Sequence, residues 1–148
     1  MPSLRIGAWN ARGLLRNYDE FVRAADRLAL DVVFLAETLA KAKARAPAPQ
    51  IVAWSPHPRS KVGSNPVLYG VALWVSARFD RSRVEMLPGG SMGLSLWWRI
   101  DGVVFGGVYV PPNSPAEQVT ALLTPTAARR SEEDVVMLGD WNGRMGPL

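Results

Sequence analysis

LRIGAWNARGLLRNYDEFVRAADRLALDVVFLAE, running from Leu4 to Glu37, decides how the chain folds. Leu4 to Trp9 reads as a short buried strand. Asn17-Tyr-Asp-Glu20 offers a helix start, with a side chain able to cap and a Glu three residues on, as in a capping box. Phe21, Val22, Ala25, Leu28 and Ala29 then recur at helical spacing and predict that helix's buried stripe. Asp31 to Ala36 (DVVFLA) follows as a second strand. A strand-helix-strand unit has a right-handed crossover and parallel strands, so both strands end at the same edge of a sheet. Asn10 and Glu37, which follow the two strands, are therefore expected side by side.

Working outward, Lys41 to Pro66 is rich in Ala, Pro, Arg, Ser and Lys and reads as a long surface loop with a short strand at Ile51 to Trp54. Strand-like runs follow at Tyr69 to Val75, Leu94 to Ile100 and Val103 to Val110, with Asp101-Gly102 a strong hairpin signal between the last two. A helix is expected from Ser114 to Leu123, capped by Ser114 with Glu117 three residues later. Val135 to Leu138 (VVML) is a final buried strand, which makes Val103 to Leu138 a second strand-helix-strand unit. It places Tyr109 near Asp140 and Asn142. The class is α/β with mixed sheets. Trp97 and Trp98 fall on opposite faces of one strand, one predicted in the core and the other marking an uncovered interface.

The 148 residues, 48% of them hydrophobic, fit one domain able to bury a core without staples. There is no cysteine and a single histidine, His57, which excludes disulfides, thiolate zinc sites and multi-histidine metal sites. No apolar run approaches the roughly 18 residues of a membrane span, and the N-terminus lacks the apolar core of a secretory signal. A soluble, intracellular protein is expected. The net charge is +4. No acidic residue occurs between Glu37 and Asp80, whereas Lys41, Lys43, Arg45, Arg59, Lys61 and Arg78 do. Such a one-signed stretch suits a polyanion such as nucleic acid, and an ordinary solvated loop would carry it equally well.

Ligand sites in α/β sheets favour the carboxyl edge of the strands. Here that edge gathers two carboxylates, two amides and a phenol. Oxygen donors of this kind suit Mg²⁺, a hard ion held by one or two carboxylates and water. Each residue also has a plainer role open to it. Asn10 is a common type of turn residue, Asp140 and Asn142 can form an Asx turn, and Tyr109 can be core with a satisfied hydroxyl. His57, between two prolines, reads as a solvated loop residue. Glu37 is the hardest to explain away, because a carboxylate after an apolar strand is costly to bury unpaired.

In this order and spacing, LRIGAWNARGL (4–14), DVVFLAET (31–38), YGVALWVS (69–76), VFGGVYVPPN (104–113) and VVMLGDWNGRMG (135–146) resemble the endonuclease/exonuclease/phosphatase superfamily. That group includes abasic-site endonucleases, DNase I-like nucleases, inositol phosphatases and the endonuclease domains of non-LTR retrotransposons. The wording of the last two stretches is most similar to the retroelement-type and abasic-site-type enzymes. The resemblance implies a DNase I-like α/β sandwich, mixed sheets flanked by helices, and Mg²⁺-dependent phosphodiester hydrolysis of DNA, with Mn²⁺ as the alternative ion. By the same resemblance, Glu37 is the principal metal ligand with Asn10 beside it. Asp140 orients or activates the attacking water, Asn142 and Tyr109 act at the phosphate, and Asn113 contacts substrate. Ala36 stands where many members carry Gln. The family's closing Ser-Asp-His-type motif has no counterpart before Leu148. A C-terminally incomplete domain is thus expected, lacking the last strands of the second sheet. It would self-associate or be completed by another chain, and either retain cleavage or survive as an inactive nucleic-acid-binding remnant. Hydrolysis of a small or lipid phosphate ester is the remaining alternative.

Overall fold

A computed structural model describes residues 3–40, 44–56, 61–62, 65–66 and 69–142. Its elements in chain order are β1 (Ile6–Asn10), α1 (Leu14–Arg27), β2 (Val32–Ala36), β3 (Ile51–Ser55), β4 (Lys61–Val62), β5 (Asn65–Pro66), β6 (Val71–Val75), a 3₁₀ turn (Arg81–Arg83), β7 (Val84–Leu87), β8 (Ser95–Ile100), β9 (Val103–Tyr109), α2 (Ala116–Leu123) and β10 (Val135–Asp140). They form two four-stranded mixed sheets, ordered β1-β2-β6-β3 and β10-β9-β8-β7, and a two-stranded β4-β5 ribbon. β1 and β2 are parallel, as are β9 and β10, while the remaining pairs are antiparallel. Both crossover units expected from the sequence are therefore present, but β1 and β10, expected to be buried, lie at sheet edges with Trp9 and Val136 exposed.

The sheets stack face to face. Val32, Phe34 and Ala36 of β2 and Val71, Leu73 and Val75 of β6 meet Trp98, Ile100, Phe105 and Tyr109 of the second sheet in one buried cluster. Burying such large apolar side chains contributes about 1.5–3 kcal/mol each, and this cluster is the centre of the molecule. Alternation along each strand sends the other residues outward. Val33, Leu35, Ala72 and Trp74 pack under α1 against Leu14, Phe21 and Ala25, and Val108 and Val110 pack against Leu122 of α2. The order of layers is helix, sheet, sheet, helix. The sheets approach closely at Gly107, where a Cβ would lie 2.1 Å from the Phe34 ring.

Several local expectations need correction. α1 begins at Leu14 rather than Asn17, from Gly13 in the left-handed conformation (φ 97°) with no side-chain cap. Asn17 lies within the helix and donates from Nδ2 to the Ala11 and Arg12 carbonyls, at 3.0 and 3.2 Å. The start is fixed instead by the Gly13 and Leu14 N–H groups, which donate to the Glu37 and Thr38 carbonyls, so tertiary bonds replace the local capping box. α2 likewise starts at Ala116, and Ser114 donates its hydroxyl to Pro111 O at 2.6 Å rather than capping. β7 was not expected. It is a short edge strand with an exposed centre and little alternation, and it pairs with β8.

Trp97 and Trp98 are both buried, so Trp97 marks no open interface. Its ring covers Gly106, where a Cβ would come within 2.6 Å of it. The segment before β10 crosses the outer face of this sheet. Arg99 of β8 grips Glu133 through Nε–Oε1 at 2.6 Å and Nη2–Oε2 at 3.1 Å, and Thr126 donates to Pro88 O at 2.6 Å. The expected hairpin is seen at Asp101-Gly102, both at positive φ as a tight turn between β8 and β9 requires. Among the described residues no helix is long and apolar enough to cross a membrane.

Candidate active site

Parallel pairing places Asn10 opposite Ala36 at the ends of β1 and β2, with Glu37 one residue beyond. It places Asp140 opposite Tyr109 at the ends of β10 and β9. Because the sheets are stacked, these two strand ends face each other and their side chains bond across the gap. Tyr109 donates its hydroxyl to Glu37 Oε1 at 2.9 Å. Asn10 Nδ2 donates to Asp140 Oδ2 at 2.8 Å. Asp140 Oδ1 accepts the Asn142 N–H at 3.0 Å, closing an Asx turn, and the Asn142 side chain is anchored on Val110 O at 2.8 Å. Asn10 Oδ1 in turn accepts the Arg12 N–H at 3.1 Å.

Five of the six residues picked from sequence thus stand in one hydrogen-bonded set. The plainer Asx-turn reading of Asp140 and Asn142 is also correct, and it coexists with their place in the set. Asn113 does not join it. It is exposed in the turn after Pro111-Pro112, at φ 60°, and no side-chain bond ties it to the set among the described residues. Lys41, Lys43, His57 and Arg59 lie outside the described residues, as does the side chain of Lys61. Arg78 is exposed just beyond Val75, and antiparallel pairing of β6 with β2 puts it at the opposite edge from the site.

Tyr109 is buried, whereas Asn10, Glu37 and Asp140 are half-buried. Burial, then the bond to Glu37 and that carboxylate's charge, push the Tyr109 hydroxyl well above the usual tyrosine range, with the Asn142 amide opposing. It therefore stays a proton-bearing donor throughout the neutral range. The backbone around the set is unusual. Arg12, Glu37, Leu39 and Asn142 all have positive φ, between 42° and 54°, which costs about 1–3 kcal/mol for each non-glycine residue and persists only where surrounding structure over-determines it. Around Glu37 that structure is a run of backbone bonds. Ala11 N to Ala36 O, Gly13 N to Glu37 O and Leu14 N to Thr38 O lie on one side, and Thr38 N to Gly70 O on the other, at 2.8–3.0 Å.

Sequence reasoning missed Thr38, Gly70 and Gly93 as parts of this support. The Gly70 N–H donates to Gly93 O at 3.0 Å, linking the first sheet to the glycine-rich turn before β8. The only signal for Gly70 was a glycine at the start of an apolar strand.

The family model described as Endonuclease/Exonuclease/phosphatase family matches residues 7–147. The chain belongs to that family, whose members include nucleases and phosphatases and generally depend on a divalent metal. No curated protein sequence matches the chain.

The donor set fits such a metal. Every candidate ligand is an oxygen, and a carboxylate such as Glu37, accepting one bond from Tyr109, has lone pairs left for a cation. Among the described residues no group of three or more His, Cys, Asp or Glu converges. An ion here would be held by one or two carboxylates and water, the manner in which Mg²⁺ is usually bound.

Proposed function

We propose that the chain is a Mg²⁺-dependent phosphodiesterase of the endonuclease type, acting on DNA. The observation that carries this reading is the crossed pair of bonds, Tyr109 to Glu37 and Asn10 to Asp140. Together they hold two carboxylates, one from each sheet, at the same end of the sandwich without pairing either to a cation. Among the described residues the ion pairs lie elsewhere, between arginines and Asp101, Glu85 or Glu133.

Glu37, with Asn10 beside it, would hold the metal. When bound, Mg²⁺ polarises the phosphodiester and stabilises charge on the leaving oxygen. Asp140 is held at both oxygens, by the Asn10 amide and the Asn142 N–H, so its carboxylate is oriented to align an attacking water and accept its proton. Tyr109 keeps its own proton and fixes the Glu37 carboxylate. Asn142, with a second amide N–H beyond the one given to Val110 O, would offer the phosphate a neutral donor. Trp141, 44% exposed and adjacent to Asp140, offers an apolar surface on which a nucleobase can rest.

Nicking of supercoiled plasmid with Mg²⁺ or with EDTA tests this reading. The parent chain should nick only with the metal, and Glu37→Ala and Asp140→Ala should each abolish nicking. Cleavage that survives Glu37→Ala overturns the metal assignment. Salt-sensitive DNA binding without cleavage in the parent would mark an inactive remnant. Turnover of small or lipid phosphate esters alone would move the substrate class.

A further inference from the structure

We propose that Thr38 and Gly70 form a steric lock that positions Glu37, so that both are positioning residues for the metal site. The proposal rests on the metal reading of that site. Thr38 is buried, and its hydroxyl has no hydrogen-bond partner among the described residues. An orphaned hydroxyl is a net cost, so the threonine acts here through its shape. That shape fits against Gly70: a Cβ at Gly70 would sit 2.3 Å from Thr38 Oγ1 and 3.6 Å from Thr38 Cβ. Gly70 is itself at φ 114°, so its backbone already favours glycine.

The lock is closed on every side. Thr38 N donates to Gly70 O and Gly70 N to Gly93 O, each at 3.0 Å, while Thr38 O and Glu37 O accept from Leu14 and Gly13 at the head of α1. Gly93 N donates in turn to Ser55 Oγ at 2.9 Å. On either side of Thr38 stand Glu37 (φ 48°) and Leu39 (φ 54°). A wedge between two strained residues gives the segment one arrangement, with the Glu37 carboxylate under the Tyr109 hydroxyl. A side chain at Gly70 would push on Thr38 Oγ1 and carry Glu37 away from that position.

Mn²⁺ binding, followed by calorimetry and by the spin resonance of the free ion, tests this apart from turnover. The variants are Glu37→Gln, Gly70→Ala, Thr38→Ala, Thr38→Val and the Thr38→Ala/Gly70→Ala pair, each first shown to be folded by circular dichroism. Glu37→Gln should remove binding. Gly70→Ala should weaken it by about 10-fold or more, as loss of a ligand's supporting group does. Thr38→Ala in the Gly70→Ala background should recover part of that loss, because it removes the clashing atom while the backbone strain at φ 114° remains. Thr38→Val keeps the shape and should bind as the parent does, whereas Thr38→Ala alone should bind more weakly. If Glu37→Gln leaves binding intact, the metal reading fails and the lock fails with it. If Glu37→Gln removes binding but Gly70→Ala binds normally, or the pair binds no better than Gly70→Ala, the lock alone fails. Should Gly70→Ala not fold, the two Thr38 variants decide, and equal binding by both overturns the lock.

Discussion

In the first crossover unit α1 runs 14 residues and buries Leu14, Phe21 and Ala25 against β2 and β6. In the second, α2 runs 8 residues and buries Leu122 alone. Each unit delivers two or three residues to the same edge of the sandwich. The first holds them with apolar packing and with backbone bonds from the helix start to the Glu37-Thr38 segment. The second has a thin helix, and the return path to β10 is fastened by the Arg99–Glu133 ion pair across the sheet's outer face. One arm of the site is thus anchored mainly by hydrophobic burial and the other by charge, and the two should fail under different conditions.

The largest separation is expected in the cores under the helices. Phe21 touches Trp9, Tyr18 and Trp74 rings, the last edge-on at 5.2 Å. Phe21→Ala should lower unfolding free energy by about 3–5 kcal/mol, and Leu122→Ala by about 2–3 kcal/mol, in urea denaturation. An equal or larger loss for Leu122→Ala would break the comparison.

Acid should expose the charged fastening. The Arg99 guanidinium, followed by the Arg130 N–H, holds the Glu133 carboxyl below its usual range. A depressed folded value contributes stability that is full above the unfolded carboxylate value and lost as pH falls through the folded one. Glu133→Gln should therefore be less stable than the parent at pH 7, and the gap should close as acid protonates Glu133 in the parent. Glu132→Gln, at an exposed neighbour, should change little. Urea midpoints measured from neutral to acidic pH check this, and a gap constant with pH would mean that shape rather than charge joins the two groups.

The smallest effects sharpen the comparison at the turns. Asn17→Ala removes two bonds to the strained turn before α1, and Ser114→Ala one bond to the turn before α2. Each should cost about 0.5–1.5 kcal/mol. Only Asn17→Ala should also reduce nicking, because the Arg12 N–H it steadies holds Asn10.

The parallel units were legible because a buried β2 and an α1 buried at Phe21 and Ala25 leave one topology, which brought Asn10 to Glu37 and Tyr109 to Asp140. Leu28 and Ala29, expected in the stripe, lie past the helix end with Leu28 exposed. Helix starts were misread at Asn17 and Ser114, where a good local cap lost to bonds with distant or preceding backbone. β7 escaped because an edge strand with half-exposed residues carries no apolar run. The Arg99–Glu133 fastening and the Thr38–Gly70 contact join residues 34 and 32 positions apart, and spacing along a chain does not report such pairs. Left-handed φ at Glu37 was equally invisible, since nothing about a glutamate signals it.

The crossed bonds at the sheet edge join Asn10 to Asp140, 130 positions apart, and Glu37 to Tyr109, 72 apart. Contacts this remote in sequence require the chain to close large loops before they form. Each half of the site can therefore be assembled by its own strand-helix-strand unit, but the site itself exists only once the two sheets have docked. In a refolding experiment the edge would be the last part of the molecule to become competent. Recovery of nicking would then time the docking of the sandwich, separately from the earlier return of helix and strand.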